Sequence, residues 1–333
     1  MALGFWRVHK PGMTSQTAPD ELATDAEEMA ATPAPPVQPA AGGDTSRGFM
    51  FALAAYLIWG MLPFYMKAVA HLPTVEVLAH RVLWSVPIAL VLLVWMGRTG
   101  DIRKAFRSPK TLAQSGVAAA FVSVNWGVYV WAIGAGRAIE TALGYYINPL
   151  LTVLVGAVLL GERLARAQMA AIALAAVAVA VLTWESGGLP WVSLALAGSW
   201  AMYAFFKKTL PIGPAQGFFL EVLLLTPLAL GYVIWLQASG AGHFGATGAA
   251  DFWLLLGCGA VTAVPLILYA NGAKGLTLST IGIMQYIAPT MVFLIAVFAF
   301  GEAFSWTKGI AFVLIWIGLA IYTAAMLRGR RGS

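Results

Sequence analysis

From Arg47 to the C-terminus the chain is a succession of apolar runs, separated by short polar breaks. A helix needs about 20 such residues to cross the ~30 Å hydrocarbon core of a bilayer, and in that core the backbone must satisfy its own hydrogen bonds. The runs are continuously apolar and lack the alternation of a barrel strand that faces lipid and lumen in turn. They therefore predict ten transmembrane helices, at 48–70, 75–96, 112–134, 141–160, 166–184, 190–207, 215–236, 252–273, 278–300 and 306–327. The composition agrees, with 60% hydrophobic and 10% charged residues, whereas about a quarter of a soluble domain is charged. Connections of about nine residues remain, too short to hold a catalytic domain.

Residues 1–47 are a different material. Ala, Pro and Thr dominate, Pro33, Pro35, Pro36 and Pro39 crowd one stretch, and six acidic residues face Arg7 and Lys10 before Arg47 is reached. Such a segment has too little apolar surface to fold, and the expectation is a disordered tail without the apolar core of a secretory signal. Basic residues set the orientation. With the N-terminus in the cytoplasm, fourteen of the 20 Lys and Arg fall on cytoplasmic faces, five of them between Arg98 and Lys110, and only Lys67, Arg137 and Lys308 fall outside. This is the positive-inside pattern, so both termini are expected in the cytoplasm. The net charge of +6 then belongs to topology and anionic headgroups, not to nucleic acid.

Sliding the chain against itself at an offset of 140 residues aligns two halves without gaps. Val82, Leu83, Pro87, Ala89, Leu90 and Trp95 fall on Val222, Leu223, Pro227, Ala229, Leu230 and Trp235. Tyr146-Ile147-x-Pro149 falls on Tyr286-Ile287-x-Pro289, Gly161-Glu162 on Gly301-Glu302, Lys67 on Lys207 and Tyr129 on Tyr269. The halves read as residues 48–187 and 188–333, five helices each. An odd number inverts the second half in the membrane, and two inverted halves around a midplane site are a transporter arrangement.

Four strings carry a closer likeness: LAAYLIWGMLPFYMK, VEVLAHRVLWS, LGYYINPLLTVLVGAVLLGER and LSTIGIMQYIAPTMVFLIAVFAFGE. They resemble RarD-type proteins of the EamA branch of the drug/metabolite transporter superfamily, a family associated with chloramphenicol sensitivity, and the resemblance covers essentially everything after the tail. It implies a ten-helix carrier in a bacterial inner membrane. The acidic tail departs from the family pattern.

Candidate site residues follow from what a span tolerates. Proline frees a carbonyl that only a cavity or a neighbouring helix can satisfy, so Pro149 with Pro289, and Pro87 with Pro227, are expected kinks in corresponding positions. Near the first pair stand Tyr145, Tyr146, Asn148, Gln285 and Tyr286; further mid-span are Trp59, Trp126, Tyr129, Tyr203, Tyr269, Asn125 and Asn271. These suit a flat amphiphilic pocket for a small organic solute, or alternatively hydrogen bonding and packing between helices. His80, Arg81 and Glu221 are embedded ionisable groups, and a charge in a span is costly enough to be functional by default. Arg81 and Glu221 occupy one repeat position with opposite charge. They are expected to flank a midplane solute, Arg81 taking an anionic group and Glu221 an amine or a coupling proton; the alternative is that both reach to headgroups. Glu162 and Glu302 are expected as solvated carboxylates that mark turns.

No catalytic constellation is present. His9, His71, His80 and His243 are dispersed, Cys258 is the single cysteine, and no metal-ligand spacing or Gly-Lys-Ser/Thr phosphate loop occurs. No metal and no cofactor are expected, and uphill transport has to draw on a proton or solute gradient. The leading function is a secondary transporter, an exporter of a small organic solute. A lipid-modifying enzyme would need a His, Asp or Glu cluster at one membrane face, and a non-transporting assembly partner does not require an inverted duplication.

Overall fold

A computed structural model describes residues 44–95, 97, 99–161 and 164–329. The tail up to Gly43, the turn residue Glu162 and the end from Arg330 lie outside the described residues. All regular structure among them is helical. The long helices are α1 (Ser46–Ala68), α2 (Thr74–Trp95), α3 (Pro109–Gly134), α4 (Ala138–Leu160), α5 (Arg166–Ser186), α6 (Trp191–Thr209), α7 (Pro214–Ala238) and α8 (Ala249–Ala273). They are followed by α9, a broken helix of Leu278–Met284, Ile287–Leu294 and a π turn at Ile295–Ala299, and by α10 (Trp306–Gly329). By length and composition nine of the described helices can cross a membrane. The tenth, α6, has 19 residues and ends in Lys207 and Lys208. A short helix at Gly100–Phe106, absent from the sequence reading, lies in the basic connection before α3.

The starts obey capping chemistry. Thr45 and Ser108 accept hydrogen bonds from Gly48 N–H at 3.1 Å and Thr111 N–H at 3.3 Å, satisfying orphan donors of the first turn. Gly161 and Gly301, equivalent in the 140-residue alignment, end α4 and α9 with φ of 67° and 66°, a left-handed conformation that glycine adopts without a Cβ penalty. Two corrections concern boundaries. The span at 278–300 is interrupted: Pro289 has no N–H for the Gln285 carbonyl, and Tyr286 N–H turns instead to Ile283 O at 3.2 Å. The assigned tail overlaps the fold, because Thr45 N–H and hydroxyl both bond Gly275 O, at 2.9 and 3.0 Å. Asp44 accepts from Thr277 N–H at 2.6 Å and from the Thr280 hydroxyl. These two donors, the N–H first, hold the Asp44 carboxyl below its ordinary range.

The most extensive helix pairings join opposite halves. They are α5 with α10, α4 with α6, α1 with α8, α2 with α7 and α8, α3 with α6 and α7, and α9 with α1 and α4. Exchanging every helix with the one five places away returns the same set. Close approach depends on small residues, as expected where lipid is as apolar as the helices themselves. A Cβ on Gly259 of α8 would lie 2.3 Å from the Trp84 carbonyl of α2, and one on Gly272 2.6 Å from Ala52 N of α1. Gly198 of α6 faces open space.

Gly259→Ala is therefore expected to destabilise the bundle by about 1–3 kcal/mol through overpacking, while Gly198→Ala is neutral or stabilising by up to about 1 kcal/mol from helix propensity. Thermal unfolding in detergent measures both.

Candidate functional site

Helix α2 places Glu76, His80, Arg81 and Ser85 in the bundle interior, all of them buried. The spacing of four and five residues keeps them on neighbouring lines of the inward face. Arg81 is 4% exposed. Its Nε donates to Thr262 Oγ1 of α8 at 3.1 Å, and its guanidinium lies 4.8 Å over the Trp126 ring of α3. Thr262 can accept because its own hydroxyl donates to Cys258 O at 2.8 Å. Nη1 is buried without a hydrogen-bond partner, and among the described residues no carboxylate stands within ion-pair distance of Arg81.

An arginine carries five donors in a planar fork, and removing a charge from water costs several kcal/mol unless something compensates. One hydroxyl and one aromatic face supply part of that. Near the guanidinium stand the phenols Tyr145, Tyr129 and Tyr65. Tyr129 and Tyr145 pack at 5.8 Å, Tyr145 donates to Asn125 Oδ1 at 3.4 Å, and Asn125 donates to Leu196 O at 3.0 Å and Ser199 Oγ at 3.1 Å. Beside Arg81, His80 Nδ1 accepts from Trp84 Nε1 at 3.0 Å, which places the imidazole proton on Nε2; that nitrogen is buried and unpartnered.

Glu221 forms a second, self-contained centre. It is 1% exposed, and its two oxygens accept from Lys207 Nζ at 2.9 Å and from the Tyr203 hydroxyl at 3.0 Å. Its carboxylate is neutralised within the protein, an arrangement different from an open contact to a solute. Burial of both Arg81 and Glu221 also removes the alternative of headgroup anchoring.

The remaining sequence-predicted residues fall into two aromatic clusters. Trp59 and Tyr269 pack with Tyr56 at 5.6–5.9 Å between α1 and α8. Tyr146 stacks on Tyr286 at 6.3 Å and bonds Thr290 Oγ1 at 2.5 Å, tying α4 to α9. Asn148 is buried on α4, with Oδ1 unpartnered. Asn271 and Gln285 donate to carbonyls of their own helices, Ile267 O at 2.8 Å and Gly282 O at 3.0 Å. Pro289 sits at the break in α9, whereas Pro149, Pro87 and Pro227 lie in unbroken helices. Pro87 lines a shallow apolar groove with exposed Val91 and Trp95.

Glu302 is a correction of its own. It is not a solvated turn marker: its oxygens accept from Ala138 N–H at 2.6 Å and Ile139 N–H at 2.9 Å, capping the positive end of α4 from the other half of the chain. Sequence reading missed Thr262, Lys207 as the partner of Glu221, and Glu76. Glu76 carried a signal, lying four and five residues before His80 and Arg81. Lys207 was visible only as the repeat partner of Lys67.

The N-terminal half matches a family model described as the EamA-like transporter family over residues 46–184. Protein RarD of Streptomyces exfoliatus is 40% identical over 286 residues, covering 86% of this chain and 91% of the relative. The chain is a RarD-type member of the EamA-like family. An uncharacterized transporter of Bacillus subtilis, YojE, is 36% identical, with 87% and 98% of the two chains covered. Protein RarD of Escherichia coli is 37% identical, with 87% and 98% covered. A crystal structure 22% identical superposes with a TM-score of 0.53, over 86% of this chain and all but 1% of that one, and shows the fold alone. In this EamA-like protein the Arg81 centre is thus a feature of a multi-pass membrane transporter.

Lys207→Met alone is expected to lower stability by about 3–5 kcal/mol, because it strands a buried carboxylate. Lys207→Met combined with Glu221→Leu is expected to recover most of that loss. Thermal unfolding of the three proteins in one detergent checks it.

Proposed function

We propose that the chain is a secondary transporter that exports a small organic anion or zwitterion by alternating access, with Arg81 holding the solute's anionic group. The observation that carries this reading is a buried guanidinium with an unpartnered Nη1 and no acid in ion-pair range among the described residues. Trp126 under the guanidinium and Thr262 on Nε fix the fork so that its remaining edge faces a carboxylate or similar anion. Tyr129, Tyr145 and Asn125 are the polar groups offered to the solute, and Glu221, closed by Lys207 and Tyr203, holds the position equivalent to Arg81 in the 140-residue alignment.

Support for alternating access comes from the neighbour set, which is unchanged when the two five-helix halves are exchanged, and from antiparallel packing of α1 on α8. In that packing the Gly48 end of α1 meets Gly272 and Gly275, while the Tyr65 end meets Leu254. Fourteen basic residues on one set of faces favour cytoplasmic termini in a bacterial inner membrane. The printed names of relatives support transport as the activity. No nucleotide motif occurs in the chain, so a proton or solute gradient supplies the driving force.

Two measurements test the reading. In proteoliposomes, counterflow against a panel of labelled organic anions, zwitterions and neutral solutes should find an anionic or zwitterionic substrate. Arg81→Gln at unchanged abundance should slow its transport about ten- to hundredfold, the equivalent of losing a charge-assisted hydrogen bond of about 1.5–3 kcal/mol; near-normal transport would remove Arg81 from the site. For topology, single cysteines at Ala303 and Ala165 in a Cys258→Ser background should differ in intact cells, with only Ala303→Cys labelled by an impermeant thiol reagent. Equal labelling would end the inverted-repeat reading.

A further inference from the structure

Two carboxylates bridge the halves of the chain. Glu302, just past the end of α9, accepts from Ala138 N–H at 2.6 Å and Ile139 N–H at 2.9 Å in the first turn of α4. Asp44, two residues before α1, accepts from Thr277 N–H at 2.6 Å and from the Thr280 hydroxyl at the start of α9. The 140-residue offset places Arg137, Ala138 and Glu140 on Thr277, Leu278 and Thr280. The two capped turns are therefore equivalent, and their internal pairs correspond as well. Arg137 bonds Glu140 at 2.6 and 2.8 Å, and the hydroxyls of Thr277 and Thr280 meet at 3.1 Å. Glu162, the aligned counterpart of Glu302, lies outside the described residues; the carboxylate seen on the α9 turn is that of Asp44.

The caps stand at opposite ends of α1. Asp44 precedes its first residue by two positions, and Thr45 beside it bonds Gly275 O through its N–H and its hydroxyl. At the far end Lys67, in the last turn of α1, lies 5.7 Å over the ring of Phe300, two residues before Glu302. The 23 residues of α1, at 1.5 Å each, span about 34 Å, close to the ~30 Å hydrocarbon core. One cap thus serves each face of the bundle. Helix α9 runs from one to the other, and its course is broken at Gln285 and Tyr286 and again by the π turn at Ile295–Ala299. Breaks of this kind are where a helix absorbs a change of direction, so its two ends need not move as one rod.

We propose that Asp44 and Glu302 are the positioning residues of the two gates: each clasps one end of α9 to the first half of the chain, and a face opens only when its own clasp lets go. This inference rests on the alternating-access reading, because it assigns the caps to two faces that open in turn. The chemistry is the same at both. A main-chain donor at a helix start has no partner within its own helix, and a carboxylate oxygen makes a charge-assisted bond to it. Both clasps are engaged in this structure, so releasing one leaves the other as the hold on α9. The end of the acidic tail thereby belongs to the transport machinery.

Reporter cysteines in Cys258→Ser protein test this without any solute. Leu143 of α4 and Met284 of α9 are 3% and 4% exposed, one to two turns inside the caps. Leu143→Cys and Met284→Cys are made singly and alkylated with a water-soluble maleimide in nanodiscs, where the reagent reaches both faces; each rate is divided by that of the same thiol after unfolding. Asp44→Asn should raise the rate at position 284 about tenfold and leave position 143 at its starting rate, and Glu302→Gln should do the reverse. Asp44→Ala and Glu302→Ala should give the same pattern, and they decide the matter where a milder variant fails to accumulate. Rates that stay unchanged, or that rise together in either variant, overturn the proposal. Hydrogen exchange separates release from fraying: the amides of Leu278–Met284 should stay protected in Asp44→Asn, and loss of their protection would reduce Asp44 to an end cap and overturn its part in a gate. Failed counterflow in the wild-type protein would strike the transport reading and leave the labelling pattern standing, whereas equal labelling in a chain that still performs counterflow would strike only the clasps.

Discussion

Placing a guanidinium inside a membrane bundle is the constraint around which the rest of this structure is arranged. The cost of stripping water from Arg81 is several kcal/mol, and the fold meets part of it with an aromatic face, a threonine oxygen and a shell of phenols. Those groups come from three other helices: Trp126 and Tyr129 from α3, Tyr145 from α4 and Thr262 from α8. Trp126 needs α3 against α2; Thr262 needs α8 so close to α2 that Gly259 can have no side chain. The packing that builds the bundle is thus also the packing that presents the charge, and a change of one residue in the contact between α2 and α8 acts on both.

The two halves solve the same positional problem in opposite ways. Position 81 and position 221 are equivalent in the 140-residue alignment, as are Lys67 and Lys207. In the second half the lysine reaches the carboxylate and the pair is closed. In the first half both members are cations; Lys67 turns away to the ring of Phe300 at 5.7 Å, and Arg81 faces inward alone. One neutral centre and one positive one thus stand at positions that the 140-residue alignment makes equivalent. The asymmetry lies in side chains, because the backbone neighbours are common to both halves.

Most of the helices were legible in the sequence because an apolar run of about 20 residues has one stable form in lipid. The short helix at Gly100–Phe106 was not, since nothing apolar marks it. Proline gave a mixed signal: Pro289 breaks its helix and Pro149, in the same aligned position, does not, so the ring alone does not set the kink. Of the candidate site, Arg81 was legible as a charge in a span, and Tyr129, Tyr145 and Asn125 as polar groups within spans. Its immediate partners were not. Thr262 is an unremarkable residue in an apolar run, and its role arises only from the register of α8 on α2. Glu302 reads as an interfacial acid until the π turn of α9 carries it onto the first turn of α4.

That last contact ties the halves together by the main chain of one and the carboxylate of the other. The amides of Ala138 and Ile139 have no carbonyl within their own helix, and Glu302 is their acceptor. Any movement that separates α4 from the end of α9 must expose two bare donors and the positive pole of a 23-residue helix at once. Small fluctuations gain nothing until solvent or another oxygen can replace both bonds together. Separation at this corner costs both bonds, so Glu302 works as a latch by which the second half of the chain holds the first helical turn of α4.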